Sequence, residues 1–215
     1  ALLGCIFGAL ISGWCADKLG RKLPLILSAV LFSASAWGTA VASHFDMFVV
    51  YRIVGGVGIG LASALSPLYI AEVSPAEKRG SFVAVNPLTL VIGVLAAQLI
   101  NLRSAEPVEP GATQQMIVRS WNGQMGWRWM CGAELVPALA LLVLMFFVPE
   151  SPRWLMKAGK PERARAALER IGSADFADRI LREIAHTLEK DNNKVSYGAL
   201  LAPQVKPIVI SGMVL

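Results

Sequence analysis

The chain has 215 residues, of which 55% are hydrophobic and only 16% carry a formal charge. Soluble globular domains carry about 25% charged residues, so this composition argues against a soluble domain and favours a protein that is solvated by lipid. The net charge of +5 does not indicate a nucleic-acid-binding protein, because the basic residues lie in loops beside long apolar segments.

Apolar segments with almost no ionised side chains follow one another along the chain. A helix needs roughly 20 apolar residues to cross the hydrocarbon core of a bilayer, and the four middle segments reach that length. The first and last segments are shorter, and we expect the chain to be a fragment of a longer protein. The sequence therefore predicts an all-α, polytopic membrane protein. The segments are 1–16, 23–43, 47–71, 82–102, 128–148 and 205–215.

The basic residues predict which loops face the cytoplasm. Cytoplasmic loops of membrane proteins carry an excess of Lys and Arg, and here the basic residues cluster after the first, third and fifth apolar segments. Loops 17–22, 72–81 and 149–204 are therefore expected to be cytoplasmic. The connections around Asp46 and between Arg103 and Arg119 are expected to face outward.

The third apolar segment combines an arginine with closely spaced glycines. Arg52 is followed by Gly56, Gly58 and Gly60, and glycine at every second position lets neighbouring helices approach closely. An arginine in a span needs a partner or a water-filled cavity. Glu134 in the fifth segment should lie at a similar depth, so we expect the two to pair and to couple proton uptake to rearrangement. Snorkelling of both side chains to the outer interface stays an alternative.

The fourth segment carries uncharged hydrogen-bonding side chains. Asn86, Gln98 and Asn101 match the hydroxyls of a neutral sugar better than an ionic substrate, although helix–helix contacts would use the same groups. Pro87 in this segment and Pro137 in the fifth are each expected to weaken a backbone hydrogen bond and to kink their helices.

The long loop 149–204 is predicted to be a helical linker domain. Ser151 should cap a helix that begins at Pro152, and Pro161 suits the first turn of the next helix. Phe176, Ile180 and Ile184 then repeat every fourth residue. These amphipathic helices are expected to lie beneath the membrane bundle, and a solvated linker without a function is the alternative.

Charged residues recur at the expected cytoplasmic ends of the spans. Exposed ion pairs contribute only about 0–1 kcal/mol each, so a network that forms in one conformation and breaks in another is a better use for them. Glu72 and Arg79 flank their turn and could pair at the cytoplasmic rim, and simple topogenic charge is the alternative for the set. The residues of this predicted gate are Asp17, Arg21, Glu72, Arg79, Glu150 and Arg153.

Taken together, the loop and span motifs resemble the sugar porter family of the major facilitator superfamily, and its bacterial proton-coupled symporters of pentoses and hexoses in particular. The resemblance covers essentially the whole chain. It implies the N-terminal half of a twelve-helix fold, from helix 2 to helix 6 in 1–148, then the linker domain 149–204 and the start of helix 7 in 205–215. The motifs are GWCADKLGRK, YRIVGGVGIG, SPLYIAEVSPAEKRG, GWRWM and VPESPRWLMKAGK.

The resemblance also implies roles for single residues. Arg52 matches the family arginine that pairs with an aspartate of helix 1, which is expected before Ala1, and Glu134 matches an acid near it. The charged residues at the cytoplasmic ends match the family's intracellular gate. Pro87 departs from the pattern, because it replaces the usual sugar-binding glutamine, and Val94 replaces a second polar residue. Gln98 remains at a polar position of facilitative members.

The predicted function is secondary active transport of a monosaccharide by alternating access, with sugar and protons as partners, in a multi-pass protein of the cell membrane. Facilitated diffusion of a sugar or polyol, and a non-transporting membrane sugar sensor, are the alternatives. An enzyme is not expected, since no nucleophile–base set, metal cluster or phosphate loop is evident in the sequence. No cofactor is expected, and the protein is expected to be monomeric.

Overall fold

A computed structural model describes residues 1–75, 78–108 and 111–191 as an assembly of helices. The last predicted span, 205–215, and the end of the linker, 192–204, lie outside the described residues. In chain order the helices are α1 Leu2–Leu19, α2 Lys22–Val41, α3 Phe45–Val73, α4 Arg79–Ser104, α5 Gln114–Arg119, a π-helix Asn122–Gly126, α6 Trp127–Ala133, α7 Leu135–Phe147, α8 Pro152–Lys157, α9 Pro161–Glu169 and α10 Ala174–Asp191.

Five helical stretches in the described part of the chain are long and apolar enough to cross a membrane. They are α1, α2, α3, α4 and the run Asn122–Phe147, which joins the π-helix to α6 and α7. Each of these stretches overlaps one of the first five predicted apolar segments. The prediction of an all-α protein with successive membrane-spanning helices is therefore confirmed.

Helix α3 is the central element of the bundle, because α1 and α2 both pack along it. The glycines predicted to allow close approach lie in these contacts. A Cβ added at Gly60 would collide with the backbone of α1 at Cys5, and one at Gly58 would stand 3.2 Å from the Ser28 carbonyl oxygen of α2. The interior between the helices is filled by Ala16, Leu25, Leu61, Leu65 and Met145.

The fifth membrane-spanning stretch is interrupted at Glu134. Proline has no N–H and its ring clashes with the carbonyl group four residues earlier, which for Pro137 is that of Ala133. Helix α6 ends at this residue, and α7 begins at Leu135. The hydrogen-bonded helix is thus interrupted at Glu134, three residues before Pro137, while Glu134 keeps helical backbone angles (φ −59°, ψ −21°). Helix α4, in contrast, continues through Pro87.

Helices α8, α9 and α10 form a second layer at one end of the bundle, which we call the linker end. Leu155, Ala164 and Ala167 form its small core, with Trp154 and Leu181 packed against them. The predicted helix starts at Pro152 and Pro161 are both observed. A cavity of about 860 Å³ separates this layer from the end of α3, and residues Phe176, Ile180, Ile184 and Leu188 of α10 line it.

Candidate functional site

At the linker end, Arg21, Glu72, Glu150 and Ser151 form a compact set of polar contacts that we call the rim cluster. Arg21 Nη2 lies 2.7 Å from Glu72 Oε1, and only 10% and 7% of the two side chains are exposed. Arg21 Nη1 also donates to the Ala16 carbonyl oxygen at 2.8 Å. A buried ion pair of this kind is costly to break one-sidedly, because removing either partner leaves an uncompensated charge. The pair therefore ties α3 firmly to the start of α2.

Glu150 binds the beginning of α2 through backbone groups. Its Oε1 accepts hydrogen bonds from the backbone N–H groups of Arg21 at 2.9 Å, of Lys22 at 3.1 Å and of Ser151 at 2.8 Å. A carboxylate in this position satisfies N–H groups that a helix start leaves unpaired and is favoured by the helix dipole. Gly20 precedes this contact with a φ of +88°, and a Cβ there would overlap the Glu150 carboxylate. Glycine is therefore favoured by the backbone conformation, and a Cβ at this position would displace the Glu150 carboxylate.

Ser151 links Glu72 to the first turn of α8. Its hydroxyl donates to Glu72 Oε2 at 2.6 Å and accepts from the backbone N–H of Trp154 at 3.3 Å. The predicted N-cap at Ser151 is thus confirmed, while its bond to Glu72 is not evident in the sequence. The Tyr69 hydroxyl adds a further contact by donating to the Pro149 carbonyl oxygen at 2.8 Å.

The other predicted gate residues lie at the same end but outside the rim cluster. Asp17 pairs with Lys157 at 3.1 Å, and both side chains are more than half exposed. Arg79 and Arg153 are exposed and line the cavity between α3 and α10. The partners that the structure gives Glu72 are Arg21 on one carboxylate oxygen and Ser151 on the other, and not Arg79. The proximity of Glu72 and Arg79 in the sequence therefore did not determine which residue pairs with Glu72.

The second set of charged residues lies on the opposite half of the bundle. Arg52 is about two helical turns after the start of α3. Its Nη1 stands 3.4 Å from Glu134 Oε1, with 34% and 55% of the two side chains exposed. We call Arg52 and Glu134 the outer pair. Its long distance and high exposure indicate a much weaker link than the one between Arg21 and Glu72.

Two further side chains surround the Arg52 guanidinium, and sequence analysis identified neither. Cys131 Sγ accepts a hydrogen bond from Nη2 at 3.2 Å. The Phe48 ring centre lies 5.5 Å from the guanidinium carbon, within the range of a cation–π contact. Both residues stand at helical spacings from charged groups, Phe48 four before Arg52 and Cys131 three before Glu134. That helical spacing is the feature of the sequence from which their proximity to the charged pair could have been predicted.

Three amide side chains of α4 share one face of that helix with Pro87. At about 100° per residue, Asn86, Asn101, Pro87 and Gln98 fall within an arc of about 120°. None of the 26 residues of α4, all of them described, is buried. Asn86 Oδ1 lies 3.5 Å from the Ser66 hydroxyl of α3, and Gln98 is exposed. The outer pair, this face and the rim cluster are thus three separate groups of polar side chains.

Comparison with known proteins gives a consistent result along the whole chain. A family model described as "Sugar (and other) transporter" matches residues 1–215. The chain is 38% identical over 231 aligned residues to the D-xylose-proton symporter of Escherichia coli strain K12, covering 99% of this chain and 45% of the relative. It is 35% identical to the arabinose-proton symporter of Bacillus subtilis strain 168, covering 100% of this chain and 44% of that one.

Solved structures of sugar symporters also match the fold of this chain. The proton:xylose symporter XylE bound to 6-bromo-6-deoxy-D-glucose superposes with a TM-score of 0.81 at 38% identity, covering 93% of this chain and 44% of that one. The partially occluded inward-open form of XylE from E. coli gives 0.78 at 38% identity, covering 88% and 46%. The chain therefore spans about half the length of the curated relatives and solved structures it matches.

Proposed function

The chain belongs to the sugar transporter family, and on this premise we propose that the complete protein carries a monosaccharide across the cell membrane together with protons. The family consists of multi-pass membrane transporters and not of enzymes, and the five apolar helices agree with that placement. Two similar proteins bear the names of proton symporters for xylose and arabinose. These names support a pentose or a related hexose as the substrate.

The observation that carries the proton-coupled form of the proposal is the outer pair. The Glu134 carboxylate is half exposed and lies 3.4 Å from one arm of Arg52. Neutralising a carboxylate removes its electrostatic attraction for a neighbouring cation. In the proposed mechanism, protonation of Glu134 frees Arg52, and the helix α3 that carries Arg52 can then move relative to α6 and α7.

The rim cluster and the α4 face have different roles in this proposal. Alternating access needs one end of the bundle to close while the other opens. We assign the closing contacts at the linker end to the exposed charges Asp17, Arg79 and Arg153, whereas the buried Arg21–Glu72 pair holds the half-bundle together. The amide groups of Asn86, Gln98 and Asn101 would contact the sugar hydroxyls, with Pro87 removing one amide that a tighter site would supply.

A polyol is the second candidate substrate. The chain is 38% identical over 191 residues to a protein named probable inositol transporter 2 of Arabidopsis thaliana, covering 89% of this chain and 30% of that one. A polyol presents the same ring of neutral hydroxyl groups as a sugar, so uncharged amides on α4 fit both substrate classes. The two candidates differ in the substrate and share the transport mechanism.

The test is uptake by the complete protein in proteoliposomes. Labelled xylose, arabinose, glucose and myo-inositol are supplied one at a time, with and without an inward proton gradient, and protein-free vesicles serve as the control. The proposal expects one substrate to accumulate above its external concentration and the accumulation to collapse when a protonophore is added. Equilibration without accumulation would show facilitated diffusion instead. Binding without any flux would show a sensor.

A further inference from the structure

A second cavity, of about 430 Å³, lies beside the connection between α2 and α3, at the end of the bundle opposite the linker end. Three aromatic rings line it, together with a guanidinium group, an imidazole and a hydroxyl group. No Asp or Glu is among the described residues of its lining, and neither residue of the outer pair belongs to it. The lining includes Ser43, His44, Phe45, Phe48, Trp127 and Arg128.

Arg128 has a fixed orientation at this cavity. Its Nη1 donates to the Ala40 carbonyl oxygen at 2.8 Å, and its guanidinium carbon lies 4.6 Å from the centre of the Trp127 ring. Ala40 is in the last turn of α2, where carbonyl groups lack a partner within the helix and a cation is favoured by the helix dipole. A guanidinium has five N–H donors, and among the described residues the structure gives Arg128 a hydrogen bond through Nη1. Other N–H groups of Arg128 can therefore bind a ligand.

The aromatic rings give the cavity an apolar side. The Phe45 and Phe48 rings are stacked with their centres 6.5 Å apart, and Phe48 meets the Trp127 ring edge-on at 5.9 Å. Phe48 and Trp127 are half-buried, whereas 78% of Phe45 is exposed. Leaving a phenylalanine ring in water forgoes the favourable free energy of burying its apolar surface. This side of the cavity therefore fits a hydrocarbon chain.

The position of the cavity agrees with a lipid as its occupant. Ser43 and His44 connect α2 and α3, which are both long and apolar enough to cross a membrane, so the cavity lies at the level where these spans end. Exposed apolar side chains continue from it along both neighbouring helices, with Val41 at the end of α2 and Trp129 in α6. Tryptophan is enriched at membrane–water interfaces because its ring is amphipathic. Phospholipid headgroups and the first carbons of their chains lie at this level.

We propose that this cavity binds one anionic phospholipid. Its phosphate group accepts hydrogen bonds from Arg128, with the Ser43 hydroxyl as a further donor, and an acyl chain lies along Phe45. Guanidinium–phosphate hydrogen bonds are charge-assisted and frequently two-pronged. A zwitterionic headgroup would bring an ammonium group for which the described lining has no carboxylate, since Asp46 in the first turn of α3 lies outside it. The inference depends on the membrane-spanning fold and not on the proposed transport activity.

The experiment measures the Kd of the most tightly bound phosphatidylglycerol on the complete protein in detergent, by native mass spectrometry, with phosphatidylcholine as the comparison lipid. Arg128→Gln removes the positive charge and keeps an amide N–H that can donate to the Ala40 carbonyl oxygen. Ser43→Asp places a negative charge in the cavity at an exposed residue. Thr113→Asp is the matched control, because it adds the same charge to an exposed residue before α5, outside the cavity. Thermal unfolding without lipid verifies that each variant folds.

We expect phosphatidylglycerol to bind about tenfold more tightly than phosphatidylcholine, since a hydrogen bond to a charged group contributes about that much. This preference should shrink as the salt concentration rises. Arg128→Gln and Ser43→Asp should each weaken phosphatidylglycerol binding by about the same factor, whereas Thr113→Asp should keep the wild-type Kd.

Equal Kd values for the two lipids would mean that the cavity takes an acyl chain without recognising the phosphate charge, and would overturn the proposal. The same Kd in Ser43→Asp and Thr113→Asp would also overturn it, by placing the lipid elsewhere on the protein. This comparison decides the matter even where Arg128→Gln does not fold. Sugar uptake is not a readout here, so either result leaves the proposed function standing.

Discussion

The rim cluster and the outer pair are both built around an arginine and a glutamate, yet they differ in every physical property that decides their strength. The Arg21–Glu72 contact is 2.7 Å long with side chains 10% and 7% exposed, whereas the Arg52–Glu134 contact is 3.4 Å long with side chains 34% and 55% exposed. Glu72 is also bound by Ser151, and Arg21 by the Ala16 carbonyl oxygen. The first pair is buried, so losing one partner would destabilise the fold, whereas the second pair is exposed and contributes little to stability.

The largest effect is expected from Glu72→Ala. Removing this carboxylate leaves Arg21 buried and unpaired, and breaking a buried pair in this way costs about 3–5 kcal/mol. The matched control is Asp17→Ala, which removes an acid from an exposed pair at the same end of the bundle and should cost only about 0–1 kcal/mol. The free energy of unfolding is measured by denaturant titration in detergent micelles. Equal losses in the two variants would remove the distinction between a buried cluster and exposed gate charges.

Gly20→Ala tests how tightly Glu150 is placed over the start of α2. Alanine at a φ of +88° is strained, and its Cβ would also displace the carboxylate, so we expect a loss of about 1–3 kcal/mol in unfolding free energy. Gly159→Ala is the control, since Gly159 has a φ of +70° but open space around its Cβ position. The control should show the strain alone. A loss no larger than that of Gly159→Ala would mean that Glu150 moves aside at no cost.

The smallest effect on stability, and the largest on coupling, is expected from Glu134→Gln. An exposed pair contributes about 0–1 kcal/mol, so the unfolding free energy should change by less than that. Glutamine cannot exchange a proton, so proton-driven accumulation should fall to equilibration and its pH dependence should flatten. Asp178→Asn is the control, because Asp178 belongs to an exposed pair with Arg165 in the linker layer. Unchanged pH dependence in Glu134→Gln would refute the coupling role of the outer pair.

The sequence pattern was sufficient to predict those features of the structure that depend on a single helix. Runs of apolar residues predicted the five long helices, because length and hydropathy are properties of a single segment. Ser151 before Pro152 predicted a helix cap, and Pro137 predicted a weakened backbone hydrogen bond, because both act within one turn of their own position. The motifs also indicated the family, which the family model and the relatives bear out.

The sequence did not predict which partners the charged side chains bind. Arg79 lies seven residues after Glu72, and that proximity suggested a pair. The structure instead brings Arg21 to Glu72 from another helix, 51 residues away. Glu150 was expected to be one of several gate charges. Its carboxylate also accepts backbone hydrogen bonds from Arg21 and Lys22, which precede it by 129 and 128 residues. The hydrogen bond between Cys131 and Arg52 was not predicted from the sequence, because Cys131 carries no charge.

The sequence alone determined the class of the protein, the number and approximate positions of the long described helices, and the charged residues from which a gate and a proton-coupling pair are proposed. The tertiary structure decided which of those charges are buried and which partners they have. The physical reason is that hydropathy and helix capping depend on neighbours along the chain, whereas burial and pairing depend on how helices pack. In this bundle that packing is set by the close contact of α1 and α2 with the glycine-rich α3.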